Sequence, residues 1–132
     1  MPVSPLDPGG PGLVLNIGGQ GEIAYAIDVN SLISPTMEPA RFIRPGRFIL
    51  GDATALPVRD GVADEVTGNR FPMGDGAFRA EVAAEAFRVL RAGGQFRIWS
   101  ITGGGRIWLP ALAGAGFSSS TLEGGYARGV KR

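Results

Sequence analysis

The chain has 132 residues, a length suited to one compact domain, with 13 basic and 12 acidic side chains and a formal charge of +1, which lends no support to a nucleic-acid footprint. It contains no histidine and no cysteine, which excludes Ser-His-Asp and Cys-His catalysis, the common zinc sites and any disulfide framework. Any chemistry therefore falls to carboxylates, amides, hydroxyls, arginines, the lone Lys131 or backbone groups. No apolar run approaches membrane-spanning length, and a cysteine-free chain suits a reducing compartment, so the cytoplasm is the expected location.

Residues 1–11 are rich in proline and glycine and are expected to form a flexible leader or the remnant of a linker from a longer protein. Residues 12–132 are expected to fold as a single domain. Residues 13–17 form an apolar run broken only by Asn16, as in a buried parallel strand. Gly18, Gly19 and Gly21 give a permissive turn, and residues 24–29 predict a second strand with Asp28 near its carboxyl end. Strand, glycine turn, and strand ending in an acid is how a nucleotide-type cofactor site is built. Yet only residues 20–23 separate the glycine pair from the second strand, where a crossover with a helix needs a dozen or more.

Asn30 and Ser31 suit the cap of a short turn, and Pro35 and Pro39 prevent a long helix after it. Arg41, Arg44 and Arg47 form a local basic patch. With Arg128, Lys131 and Arg132 it offers a surface for phosphates or an acidic protein partner. A short strand over 48–50 leads into Asp52, and a fourth covers 63–67. The spacing of Phe78, Val82, Ala86, Val89 and Leu90 predicts a helix over 75–92, capped by Asp75 and ended by Gly93-Gly94. A strand follows over 95–101, then a short helix over 108–115 with Pro110 in its first turn. Strands over 120–122 and 126–130 are joined by a tight turn at residues 123–125. This order predicts an α/β sheet, mostly parallel, with few helices and one thinly covered face. That face calls for a small two-layer fold, or for a protein partner or second copy that covers it.

In order and phrasing the chain resembles the class I S-adenosylmethionine-dependent methyltransferases. LVLNIGG is similar to the family's first strand and glycine loop, AIDVN to its second strand with the ribose-binding acid, and GDATALPV to the segment beside the adenine. FRAEVAAEAFRVLRAGGQFRIWS is similar to the helix, double-glycine turn and fifth strand, and LPALAGAGF to the late helix. The first motif departs from the family. Asn16 stands where an acid usually sits, Gln20 and Glu22 occupy the next two glycine positions, and the first crossover helix is missing. The resemblance implies a compact, truncated Rossmann-like methyltransferase sheet that binds S-adenosylmethionine and methylates an unidentified acceptor. LNIGGQGEI followed closely by AIDVN also resembles methyltransferase-like domains at the carboxyl ends of bacterial polymorphic toxins.

On the family pattern, Asn16, Gly18 and Gly19 would lie against the cofactor, Asp28 would take the ribose hydroxyls, and Asp52 with Ala53 would flank the adenine. Glu22 is open between a general base, a partner for the cofactor's ammonium and a plain loop acid. Asn69 follows the fourth strand, where related enzymes hold their acceptors, and its amide could orient an amino or hydroxyl group. Methyl transfer from a sulfonium needs alignment, desolvation and sometimes a base, so it tolerates the lack of histidine and cysteine. A non-catalytic methyltransferase-like interaction domain is the alternative, and a toxin domain the third reading.

Overall fold

The structure is a computed structural model that describes residues 12–31 and 44–132. The expected leader at residues 1–11, Pro35, Pro39 and Arg41 lie outside them. Seven strands among the described residues form one sheet. They are β1 (Val14–Ile17), β2 (Ile27–Asn30), β3 (Phe48–Leu50), β4 (Ala63–Gly68), β5 (Leu90–Ile98), β6 (Ser118–Glu123) and β7 (Tyr126–Val130), in the spatial order β3-β2-β1-β4-β5-β7-β6. The first five strands run parallel, and β7 pairs antiparallel with both β5 and β6. The expected α/β class, with its mostly parallel sheet and antiparallel closing pair, is the fold found.

Central β1 is buried along its whole length, Asn16 included, as its apolar-rich run leads one to expect. Register sets the two faces. Leu15, Val66 and Phe96 lie side by side, as do Ile17, Gly68 and Ile98. Helices α1 (Gly76–Val89) and α2 (Leu109–Ala115) cover this face. Val82, Ala86, Val89, Leu112, Trp108 and Phe117 complete one core with the strand residues. Asp75 caps α1 by accepting from the Phe78 amide at 2.8 Å.

The opposite face carries Asn16, Asp28, Asn30, Glu65, Thr67, Gln95, Arg97 and Arg128, the alternate residues of the same strands. No α-helix among the described residues covers it. From β4 to β6 it is stitched by polar contacts instead. Gln95 donates to Glu65 at 2.7 Å, Arg128 donates to Gln95 at 2.7 Å, and Arg128 lies 3.6 Å from Glu123. The Arg97 guanidinium sits over the Tyr126 ring at 4.4 Å. On the β4–β6 side this face is a hydrogen-bonded polar surface, whereas Asn16, Asp28, Asn30 and Thr67 on it are buried.

Several expected boundaries move. The helix expected to Ala92 ends at Val89, because Leu90 is extended (φ −73, ψ 139) and pairs with Ala63 in the sheet. Its side chain is buried in the core, so the chain turns directly from helix to strand. Gly93 and Gly94 then serve the sheet rather than the helix end. Gly93, at φ +85, donates to the Lys131 carbonyl, and Lys131 donates back to Gly94 at 2.9 Å. Strand β2 begins at Ile27 rather than residue 24, so the crossover from β1 spans residues 18–26 without a helix. The carbonyls of Ile23, Ala24 and Ala26 converge on Arg44 at 3.0–3.1 Å, which curls that backbone out of the ladder. β5 stops at Ile98, and Ser100 and Gly104 exchange hydrogen bonds at 3.0 Å in a reversal. A 3-10 turn (Arg106–Trp108) precedes α2, and β6 is longer than expected. Gly124 (φ +59) and Gly125 (φ +85) make the two-residue hairpin turn before β7.

Candidate functional site

At the carboxyl ends of β1 to β4 lies a cavity of about 420 Å³, bounded by Gly18, Asn30, Asp52, Ala53, Arg70 and Phe71 among others. Each wall has a local cause. Gly18 turns out of β1 at φ +67, and its amide donates to the Val29 carbonyl at 2.7 Å. A Cβ at Gly18 would stand 3.1 Å from the Phe71 ring, so glycine there lets Phe71 close over the turn. Phe71 is held by stacking on Phe78 (5.9 Å) and edge contact with Trp108 (5.8 Å), and its amide donates to Trp99 at 2.9 Å. Arg70 beside it holds φ +52, a strained conformation for a residue with a side chain, placed at the cavity wall.

The opposite wall is the loop after β3. Asp52 Oδ1 accepts from the Thr54 amide and hydroxyl, both at 2.8 Å, and these bonds hold the Asp52 carboxyl below its ordinary value. Oδ2 has no partner among the described residues and is left for other contacts. Helix α1 fixes the rest of this loop. Glu85 accepts from the Leu56 amide at 2.7 Å, and Arg88 donates to the Leu56 and Val58 carbonyls at 2.9 and 2.8 Å.

Beneath the glycine turn lies a buried polar group. Asn16 and Asp28 are both fully buried, and Asn16 Nδ2 donates to Asp28 Oδ1 at 3.3 Å. Arg44 reaches Asp28 Oδ2 at 3.4 Å while holding the three crossover carbonyls. Burial pushes the Asp28 carboxyl above its ordinary value, against the pull of Arg44. A Cβ at Gly19 would collide with Asp28 Oδ1 and Asn16, so the second glycine exists to seat the turn on this pair. Asn16 Oδ1 is buried with no hydrogen-bond partner.

To one side stand the two remaining candidates, in contact. Asn69 Nδ2 donates to Glu22 Oε2 at 3.4 Å, and the Gln20 amide donates to Glu22 Oε1 at 2.8 Å. Burial raises the Glu22 carboxyl, but hydrogen bonds from Asn16, two backbone amides and Asn69 outweigh it, so the net direction is downward. Gln20 and Arg70, which flank this pair in sequence, line the cavity.

Of the residues expected from sequence, Gly18, Asp52 and Ala53 line the cavity, Asn16 and Asp28 lie against Gly19 beneath the turn, and Glu22 and Asn69 meet each other outside the lining, next to Gln20 and Arg70. Sequence reasoning missed Asn30, Phe71 and Phe78 as walls, and Tyr126 and Trp99 as partners of Asn69. Asn30 was findable, since it is two residues beyond Asp28 on the same side of the strand and nearer its carboxyl end. Tyr126 lies 57 positions from Asn69 and gave no local signal. Members of the expected basic patch are engaged within the chain, Arg128 donating to Gln95 and Arg132 to Ser118. Arg44 is spent on the crossover, and Lys131 donates to the Phe87 and Leu90 carbonyls at 2.8 Å.

The sheet order, with a cavity outside the strand ends, defines an α/β architecture of the Rossmann-like kind. No protein-family model and no curated protein sequence matches the chain. Solved structures do. An S-adenosylmethionine-dependent methyltransferase from Thermotoga maritima is 18% identical with a TM-score of 0.65, over 91% of this chain and 82% of that one. PigF, solved with S-adenosylhomocysteine, is 16% identical with a TM-score of 0.66, over 91% of this chain and 50% of its own. The antibiotic-resistance methyltransferase Kmr is 18% identical with a TM-score of 0.55, over 91% and 87%. The chain has the class I S-adenosylmethionine-dependent methyltransferase fold. Its length spans from half to most of these similar chains.

Proposed function

We propose that this is a small S-adenosylmethionine-binding domain that transfers a methyl group to an acceptor. The observation that carries the reading is the cavity at the strand ends of this fold, closed on one side by the Gly18 turn and on the other by Asp52 and Ala53. The residues present suit the cofactor. Gly18 lets the backbone come close, Asp52 offers an uncommitted carboxylate oxygen, and Asn16 Oδ1 is an unsatisfied buried acceptor under the turn. Gly18, Asn30, Asp52 and Ala53 would hold the nucleoside. Asp28, buried beneath the turn, would act on the ribose end through that turn, which Gly19 and Asn16 seat on it. When bound, the cofactor supplies an electrophilic methyl group on a sulfonium. The chain's part is to align it, to exclude water with Phe71 and Phe78, and to present Glu22 and Asn69 to the acceptor. The cytoplasm is the proposed compartment.

Titration calorimetry with S-adenosylhomocysteine tests this. Binding is expected, and Asp52→Ala, which removes the carboxylate at the cavity wall, should weaken it more than tenfold, the loss of a charge-assisted bond of about 1.5–3 kcal/mol. A folded protein that binds neither cofactor nor product at millimolar concentration ends the proposal. The second reading, a non-catalytic interaction domain, is favoured by the engagement of Asp28 with Arg44. A stable protein complex indifferent to Asp28→Ala and Asp52→Ala would support it.

A further inference from the structure

The Asn69 amide has a fixed orientation. Its Oδ1 accepts from the Trp99 indole at 3.3 Å and from the Tyr126 hydroxyl. An indole N–H can only donate, so this side of the amide is the oxygen. Trp99 and Tyr126 are themselves in edge contact at 6.4 Å, and Arg97 backs the Tyr126 ring. Nδ2 therefore faces the other way, toward Glu22 Oε2. Beside the cavity, next to its lining residues Gln20 and Arg70, Asn69 Nδ2 gives one N–H to Glu22 and keeps its second N–H for a ligand, and the Glu22 carboxylate lies on the exposed side of the pair.

From this arrangement we infer that the methyl acceptor is a hydroxyl group, and that the reaction is O-methylation. The inference rests on the methyltransferase reading above and deepens it. A hydroxyl oxygen has two lone pairs and one proton. It can accept from Asn69 with one lone pair, donate its proton to Glu22, and attack with the other lone pair. A neutral amine can donate to Glu22, but its single lone pair must face the methyl, so it leaves the second Asn69 N–H without an acceptor, whereas a hydroxyl satisfies both groups. Asn69 cannot serve an amine by accepting its N–H, because its oxygen is already taken by Trp99 and Tyr126. In the transfer the O–CH3 bond forms as the S–CH3 bond breaks, and the O–H proton passes to Glu22. The products are a methyl ether, a neutral thioether and a protonated Glu22. A carboxylate of low basicity suits this order, since the oxygen becomes strongly acidic as the methyl arrives. Phenolic hydroxyls, already the more acidic, are the favoured class. Glu22 is the catalytic base, and Trp99 and Tyr126 are positioning residues that act through Asn69.

The test uses the full chain saturated with S-adenosylhomocysteine, with binding of that product first measured on its own. Two probes of one shape, p-cresol and p-toluidine, are then titrated while the Asn69 side-chain amide is followed by NMR. The expected result is p-cresol binding at least tenfold tighter than p-toluidine, with the Asn69 amide signals shifting on its addition. The preference should vanish in Glu22→Gln and in Asn69→Asp, which keeps an acceptor for Trp99 and Tyr126 but loses the donor. Tyr126→Phe should reduce the preference and broaden the Asn69 signals. Equal or tighter binding of p-toluidine, no shift of Asn69 with p-cresol, or a preference unchanged in Glu22→Gln overturns the inference and leaves the methyltransferase reading standing. Failure of the product itself to bind removes both.

Discussion

Between β4 and β5 the chain passes through α1, whose buried stripe of Val82, Ala86 and Val89 roofs the sheet. Between β1 and β2 the same kind of parallel connection is made by residues 18–26 with no helix. In the first case the crossover is held by apolar burial. In the second it is held by a guanidinium that gathers three carbonyls and one buried carboxylate. A parallel connection needs its backbone groups satisfied and its strands brought into register, and either device does this. They differ in sensitivity. Burial is spread over many contacts, whereas the polar clamp concentrates on Arg44, Asp28 and Asn16.

The largest expected effect is in the helix-covered half. Trp108 is fully buried, touches Phe71 and donates to Ser100 at 2.9 Å. Trp108→Ala should cost about 3–5 kcal/mol in urea unfolding. A loss under 1 kcal/mol would break the claim that this half carries the fold's stability. In the clamped half, Arg44→Ala leaves Asp28 buried beside a single amide and should cost about 1–3 kcal/mol. Arg44→Ala with Asp28→Asn should recover part of that, because the buried charge is gone. If the double variant is less stable than Arg44→Ala alone, Asp28 is not the partner that matters.

Much of this contrast was legible in the sequence. The periodic stripe of α1, its Asp75 cap and the paired glycines of the β6–β7 turn act over a few residues, and each is placed where local chemistry puts it. The phrases holding Gly18, Asp52 and Ala53 likewise reached the cavity wall. What escaped was long-range. Arg44 read as surface charge because its targets lie 16–21 positions away. Gly93-Gly94 read as a helix end because nothing local says that Leu90 pairs with Ala63. The Asn69 bracket depends on a β7 side chain that the fold alone brings near.

Smaller effects sharpen the comparison. Hydrogen bonds from Arg88 chiefly hold the Glu85 carboxyl below its ordinary 4.5, against some burial. A depressed folded-state value means stability fully present above about pH 4.5 and lost as pH falls through the lower folded value. In Glu85→Gln that part of the acid-side decline should disappear, as read by urea midpoints from pH 6 down to pH 3. A raised folded value works the other way. Asp28 favours the folded state below its folded value and loses that contribution as pH rises through it. Arg44 therefore matters most where Asp28 is ionised, and Arg44→Ala should cost more at pH 7 than at pH 4. At the small end, the pair of half-buried Arg128 and exposed Glu123 at 3.6 Å should contribute under about 1 kcal/mol, so Glu123→Ala should leave the midpoint nearly unchanged.

The central claim is that the half built without its crossover helix still forms a working cofactor pocket. Amide NMR of the full chain titrated with S-adenosylhomocysteine tests it most directly. Saturable shifts centred on Gly18, Asn30, Asp52, Ala53 and Phe71, with the β6–β7 hairpin unmoved, are the predicted result. No saturable shift at millimolar ligand, or shifts confined to other parts of the sheet, would contradict it.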